Sequence, residues 1–152
     1  INKTLHRNFM GYTSNKTQLM IGLGMSAISD SWYGFAQNVK TVKEYQQIVN
    51  LGEIPVYRGH LLSEEDQIIR RHILNIMCHF ATSWKEKPAQ IKNIDMHLGL
   101  LQEMQKDGLV KIKENSLSIP EHARPYVRNI CMAFDKRLQE KEPATKLFSM
   151  TI

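Results

Sequence analysis

The stretch 6–29, HRNFMGYTSNKTQLMIGLGMSAIS, decides how the chain is read, because its second half, Leu19 to Ile28, is a glycine-interrupted apolar run with almost no charge. Such a run predicts a buried strand reaching about Leu23 and a turn after it, covered on both faces as strands of a parallel sheet are. The rest of the sequence offers it no set of parallel partners. The expectation is therefore a C-terminal piece of a larger protein, carrying one edge of an active site. Gly22-Leu23-Gly24 predicts a tight turn, where two residues without Cβ let another backbone or a ligand come close. As a phosphate fingerprint it is weak, since it lacks a third glycine at the right spacing and a helix opening there.

Working outward, Ile1 to Ser14 is polar and basic, with Lys3, His6 and Arg7, and is expected to be extended or a loop. Asp30 to Lys40 is also expected to be a loop. Its Trp32, Tyr33 and Phe35 either plug a core edge or line a pocket. Thr41, with Glu44 three residues on, predicts the N-cap of a short helix that Gly52 ends. Pro55 biases Ile54 to Leu62 toward an extended chain. Ser63 with Asp66 is an acidic form of the capping box, and Ile69, Ile73, Ile76, Met77 and Phe80 repeat at helical period, so a helix is expected from Ser63 to about Thr82.

Ile91, Ile94, Leu98, Leu101 and Met104 predict a further helix from about Pro88 to Lys106. Leu109 to Lys113, a turn at Glu114-Asn115 and Ser116 to Ile119 then read as a hairpin. A last long helix from Pro120 would bury Val127, Ile130, Cys131, Phe134 and Leu138 before Pro143 breaks the pattern and a short tail, Lys146 to Ile152, follows. Helix, hairpin, helix is the order of a winged-helix-like unit. The fold class expected is α+β, mainly α.

The 152 residues are 42% apolar and 23% charged, the balance of a globular domain. No run is long and apolar enough for a membrane span and no signal peptide opens the chain, so a cytoplasmic location is expected. The net charge of +5 and pI near 9.3 admit anionic partners. Cys78 and Cys131 are expected to be buried free thiols. His72, Cys78 and His79 lack zinc-site spacing, and no metal is expected. A groove-reading helix at Pro88 to Lys106 would carry only Lys92 and Lys106 against Asp95 and Glu103, too few donors for nucleic acid. Arg124, Arg128, Lys136 and Arg137 mix with acids as on a solvated face.

HRNFMGYTS and LMIGLGMSAIS, followed by FAQN (Phe35 to Asn38), YRG (Tyr57 to Gly59), DGLV (Asp107 to Val110) and RNICMAFD (Arg128 to Asp135), carry a resemblance. In that order they resemble the C-terminal part of the oxygen-independent coproporphyrinogen III oxidases, radical S-adenosylmethionine enzymes of haem biosynthesis. The resemblance implies that residues 1–40 are the closing edge of a partial (β/α) barrel and residues 41–152 the helical C-terminal domain. For the parent it implies S-adenosylmethionine and a 4Fe-4S cluster, and oxidative decarboxylation of two propionates of coproporphyrinogen III to vinyl groups, giving protoporphyrinogen IX. It implies a monomeric parent.

The thiolate set of that cluster, C-x-x-x-C-x-x-C, is not in this sequence, so the piece alone is expected to be inactive. Carried over, the cofactor contacts are Phe9, Met10 and Ile28. Met10 departs from the family, which usually has glutamine there, and a thioether supplies neither the amide donor nor its acceptor. Four substrate carboxylates suit the basic charge, with Arg58 and Arg128 as candidates for attracting them. The alternatives are a haem-binding, non-oxidase relative of the same family and a winged-helix nucleic-acid module.

Overall fold

The computed structural model of the chain describes residues 4–135. Helices are mixed with strands, and every strand pairing among the described residues is antiparallel. Strand β1 (His6–Asn8) returns as β2 (Gly11–Thr13) through Phe9-Met10, so the segment expected to be extended or a loop is a hairpin. Four strands follow in one sheet, ordered β3 (Leu19–Met20), β4 (Ile28–Ser31), β5 (Gly34–Asn38) and β6 (Val56–Leu61).

Two expectations are corrected in this sheet. The apolar run is not a buried parallel strand: only Leu19 and Met20 pair, antiparallel to β4, while Ile21 and Leu23 are 68% and 84% exposed. Apolar composition reports what a segment would gain by burial, and no described element lies over these side chains. The expected loop at Asp30 to Lys40 is instead the end of β4 and all of β5, turning through Trp32-Tyr33. Neither turn residue has positive φ, so the Asn-Gly type of signature that marks primed two-residue turns is missing.

Helix α1 (Val42–Asn50) bridges β5 and β6. It starts as expected, with Thr41 Oγ1 accepting the Glu44 N–H, and ends at Gly52, whose φ of 76° suits a residue without Cβ. Helix α2 (Glu64–His79) opens with the predicted capping box: the Asp66 N–H donates to Ser63 Oγ at 3.1 Å, and the Ser63 N–H donates to the Asp66 carboxylate at 3.0 Å. It stops short of Thr82, because Phe80 turns left-handed and frees β7 (Ala81–Ser83) to pair with a later strand.

The helix expected over Pro88 to Lys106 is broken. A single 3₁₀ turn (Lys87–Ala89) precedes α3 (Ile94–Gly99) and α4 (Gln102–Lys106). Asn93 adopts φ 55°, which a continuous helix does not allow, and the chain leaves helical geometry again at Leu101. The apolar positions still turn inward: Ile91 and Leu101 are buried, and Leu98 and Met104 pack against the core. Strands β8 (Lys111–Lys113) and β9 (Ser116–Ser118) form the expected hairpin, and β7 adds a third strand in the order β7-β9-β8. The last helical region opens as a 3₁₀ segment (Glu121–Tyr126), in which Pro125 withholds an N–H, before α5 (Val127–Met132). Ile130, Cys131 and Phe134 are buried as expected. Leu138, Pro143 and the tail lie outside the described residues.

The core sits among α2, the three-stranded sheet and α5, with Ile76, Leu101, Leu117, Ile130 and Phe134 essentially inaccessible. Both cysteines are free and buried within it.

Candidate functional site

Register places the site. Ile28, Gln37 and Arg58 stand opposite one another across β4, β5 and β6, and Asp30, Phe35 and His60 form the next row. Directly opposed residues share a face, and so do residues two apart along a strand. These six side chains therefore stand on one side of the sheet. Phe9, at the turn of the first hairpin, sets its ring edge-on to Phe35 with centroids 5.0 Å apart, the arrangement aromatic quadrupoles favour.

Arg70 closes the face from α2. Its Nη2 donates to Asp30 Oδ1 at 2.6 Å and its Nη1 to the Ser31 carbonyl at 2.7 Å, while the guanidinium lies 4.8 Å from the Phe35 ring centre and 5.3 Å from that of Trp32. Asp30 is 7% exposed, and an unpaired carboxylate at that depth would be costly. Arg70 supplies the countercharge and spends its planar faces on the aromatic rings. A cleft of about 570 Å³ runs between the sheet and α2, lined by Phe35, His60, Ser63, Ile69, Arg70 and Phe134 among others. A smaller one of about 250 Å³ lies under the hairpin, between Arg7, Asn8, Phe9, Asp30, Phe35 and Arg70.

Two of the three sequence-derived contact residues meet at this face. Phe9 lies over Phe35, and Ile28 stands one row away on β4. Met10 shares the hairpin turn with Phe9 but is 84% exposed, its own N–H donating back to Asn8 Oδ1.

The glycine turn is tied within the chain. A Cβ on Gly22 would come within 2.7 Å of the Ile28 carbonyl oxygen, so the close approach that this glycine permits is to backbone. Gly22 donates to Ser29 Oγ, Gly24 donates to the Tyr45 hydroxyl, and both of their carbonyls accept from Asn38 Nδ2. The turn thus fixes where Ile28 begins, rather than presenting free donors.

Asp30 and Arg70 lie in none of the quoted motifs, and Gln37, inside FAQN, carries no role there. The aromatic cluster at Trp32 and Phe35 was the available signal, and the structure resolves it: both rings receive Arg70, and Arg71 also lies 5.8 Å from the Trp32 ring centre. No group of three or more potential metal ligands occurs among the described residues. Cys131 is unsuited to thiolate chemistry, its pKa pushed up to about 12 chiefly by burial, and burial raises that of Cys78 too. No described helix is long and apolar enough to cross a membrane.

No protein-family model matches the chain. It is 37% identical over 145 residues to the oxygen-independent coproporphyrinogen III oxidase of Escherichia coli, an alignment covering 90% of this chain and 31% of that protein. The enzymes of the same description from Pseudomonas aeruginosa and Synechocystis are 31% and 32% identical over 89% and 97% of the chain. Among solved structures, coproporphyrinogen III oxidase from Escherichia coli, described as a radical SAM enzyme, superposes with a TM-score of 0.80 at 37% identity, over 90% of this chain and 32% of that one. The chain spans about a third of the length of these relatives.

Proposed function

We propose that this chain is the C-terminal part of an oxygen-independent coproporphyrinogen III oxidase, a cytoplasmic radical S-adenosylmethionine enzyme that oxidatively decarboxylates two propionates of coproporphyrinogen III. The observation that carries this reading is the agreement of fold and sequence across 90% of the chain with one such enzyme, at a TM-score of 0.80. In the finer reading, residues 1–40 are the closing edge of a partial barrel and residues 41–152 a winged-helix-like helical domain in a monomeric parent. The order α2, β7, α3, α4, β8, β9, α5 supports the winged-helix description. The four-stranded sheet takes β6 from beyond residue 40, so the two parts share hydrogen bonds as well as packing.

S-adenosylmethionine, with its 4Fe-4S cluster, supplies the one-electron chemistry that removes hydrogen from the substrate. The cluster does not fit this chain, whose two cysteines are separate, buried and protonated, and in this reading its ligands belong to the rest of the enzyme. The adenosyl portion does fit. Phe9 and Ile28 offer an aromatic edge and a branched aliphatic on one face, and Phe35 holds the Phe9 ring in place from below. Arg70 and Asp30 position that floor.

Nucleic acid is no partner in this reading. The segment that would enter a groove is two short helices rather than one, and its charges are mixed. Anaerobic assay of the reconstituted full-length enzyme tests the proposal: conversion of coproporphyrinogen III to protoporphyrinogen IX is expected, with Phe9→Ala lowering S-adenosylmethionine affinity several-fold. A full-length protein that carries no cluster motif and shows no turnover would overturn it.

A further inference from the structure

Six arginines fall among the described residues, and four have an aromatic or ionic partner. Arg7 lies over Tyr12, Arg70 is paired with Asp30, Arg71 lies over Trp32, and Arg124 lies over Phe80 beside Glu121. Among the described residues Arg58 and Arg128 have neither. Arg128 sits exposed on α5, outside the sheet strands, and makes no hydrogen bond among the described residues. Arg58 is different in one respect: its Nε donates to Gln37 Oε1 at 2.9 Å, and Gln37 Nε2 in turn donates to the Ser26 carbonyl at 3.3 Å.

That relay does two things. Gln37 neutralises no charge, so the full cation of Arg58 remains available. By engaging Nε it orients the guanidinium and leaves the two Nη groups as the donors without a partner among the described residues. Some of the rotamer freedom that a free arginine would lose on binding is already lost. Arg58 is also in the same row as Ile28, two strands over, and one row from Phe35 and His60.

We infer that Arg58 is a carboxylate-binding residue, positioned by Gln37, that receives a propionate carboxylate of the tetrapyrrole substrate at the edge of the face bearing Ile28 and Phe9. The inference rests on the proposed function for the identity of the ligand. A planar fork with two free nitrogens suits a carboxylate, which accepts two parallel hydrogen bonds from it. It also separates the two arginines that the sequence leaves equivalent, because only Arg58 is both oriented and on this face.

The test uses the full-length protein and two readouts. Binding of coproporphyrin III, the stable oxidised tetracarboxylate, is followed by its fluorescence, and turnover of coproporphyrinogen III is followed separately. Arg58→Gln is expected to weaken binding and raise KM about tenfold with kcat little changed. Arg58→Lys, which keeps the charge but loses the fork and the Gln37 bond, should fall between. Gln37→Ala should weaken binding severalfold on its own and add nothing to Arg58→Gln, a coupling that a diffuse surface charge would not produce. Arg128→Gln should leave both readouts unchanged.

Because Arg58 is exposed on an edge strand, the variants are expected to melt with the parent, and Arg58→Lys serves as the check if Arg58→Gln does not fold. Affinity and KM within twofold of the parent in both Arg58 variants would overturn the inference. Binding by the parent without turnover would overturn the catalytic reading alone, since the Arg58 comparison is then made on affinity.

Discussion

His72 shows what burial does to a single side chain. A carbonyl can only accept, so Nε2 carries the proton and donates to the Ala89 carbonyl at 2.8 Å, leaving Nδ1 to accept from the Thr82 hydroxyl at 2.7 Å. Burial lowers its pKa below the ordinary 6.5, and the Arg71 charge lowers it further, against the opposing hydrogen bond to Ala89. The unfolded chain therefore takes up the proton first as pH falls. This residue's contribution to stability is complete above pH 6.5 and is lost progressively below it. Thermal melts across pH 5 to 8 should show that decline, and Thr82→Val, which removes the hydroxyl donor, should destabilise by about 1 kcal/mol. The same burial predicts that Cys78 and Cys131 resist thiol reagents in the folded protein and react once it is unfolded; rapid labelling of both under native conditions would contradict this. Gly22→Ala should cost about 1–3 kcal/mol, because the added methyl meets the Ile28 backbone rather than a movable side chain. In the proposed function, Met10→Gln supplies the amide that the resemblance implies at this position and should tighten S-adenosylmethionine binding in the full-length enzyme, read by calorimetry.

Among the elements, α2 carries the longest chain of consequence. Its start was legible because a capping box is local: Ser63 and Asp66 are three residues apart and need nothing else. Ser63→Ala should cost about 1 kcal/mol. The role of its sheet-facing arginine was not legible. Arg70 and Asp30 are 40 positions apart, and only the fold of β4 against α2 brings them to 2.6 Å. Arg70→Met should destabilise by about 3 kcal/mol, since it leaves the Asp30 carboxylate buried and unpaired, and Asp30→Asn in the same chain should recover part of that loss. Chemical denaturation of the two single variants and the double variant measures the coupling. The hairpin of β4 and β5 escaped the sequence reading for a related reason. Its turn is made by Trp32 and Tyr33, and the presence of Trp32 is explained by the arginines of α2 and not by the turn.

For the whole molecule, the distribution of exposed apolar side chains is the dominant feature. Ile21, Leu23, Ile54 and Leu61 are each more than two-thirds exposed, and all six residues of the edge strand β6 face solvent. In the proposed function these surfaces pack against the remainder of the oxidase. The chain on its own should therefore self-associate, and light scattering across a concentration series should show mass rising with concentration. A mass that stays monomeric up to high concentration would contradict this. Local chemistry was sufficient to determine the caps of α1 and α2, the hairpin of β8 and β9 and the inward positions of α5, since each depends on residues a few positions apart. The same logic failed for the stretch 19–28. Hydrophobicity records the free energy available on burial, whereas burial itself depends on what the rest of the structure places above the segment. Only the tertiary structure decided that this run leads into an antiparallel sheet, that Gly22 yields to the Ile28 backbone, and that Phe9, Ile28 and Arg58 share one face, because these are matters of register and of contacts between distant parts of the chain.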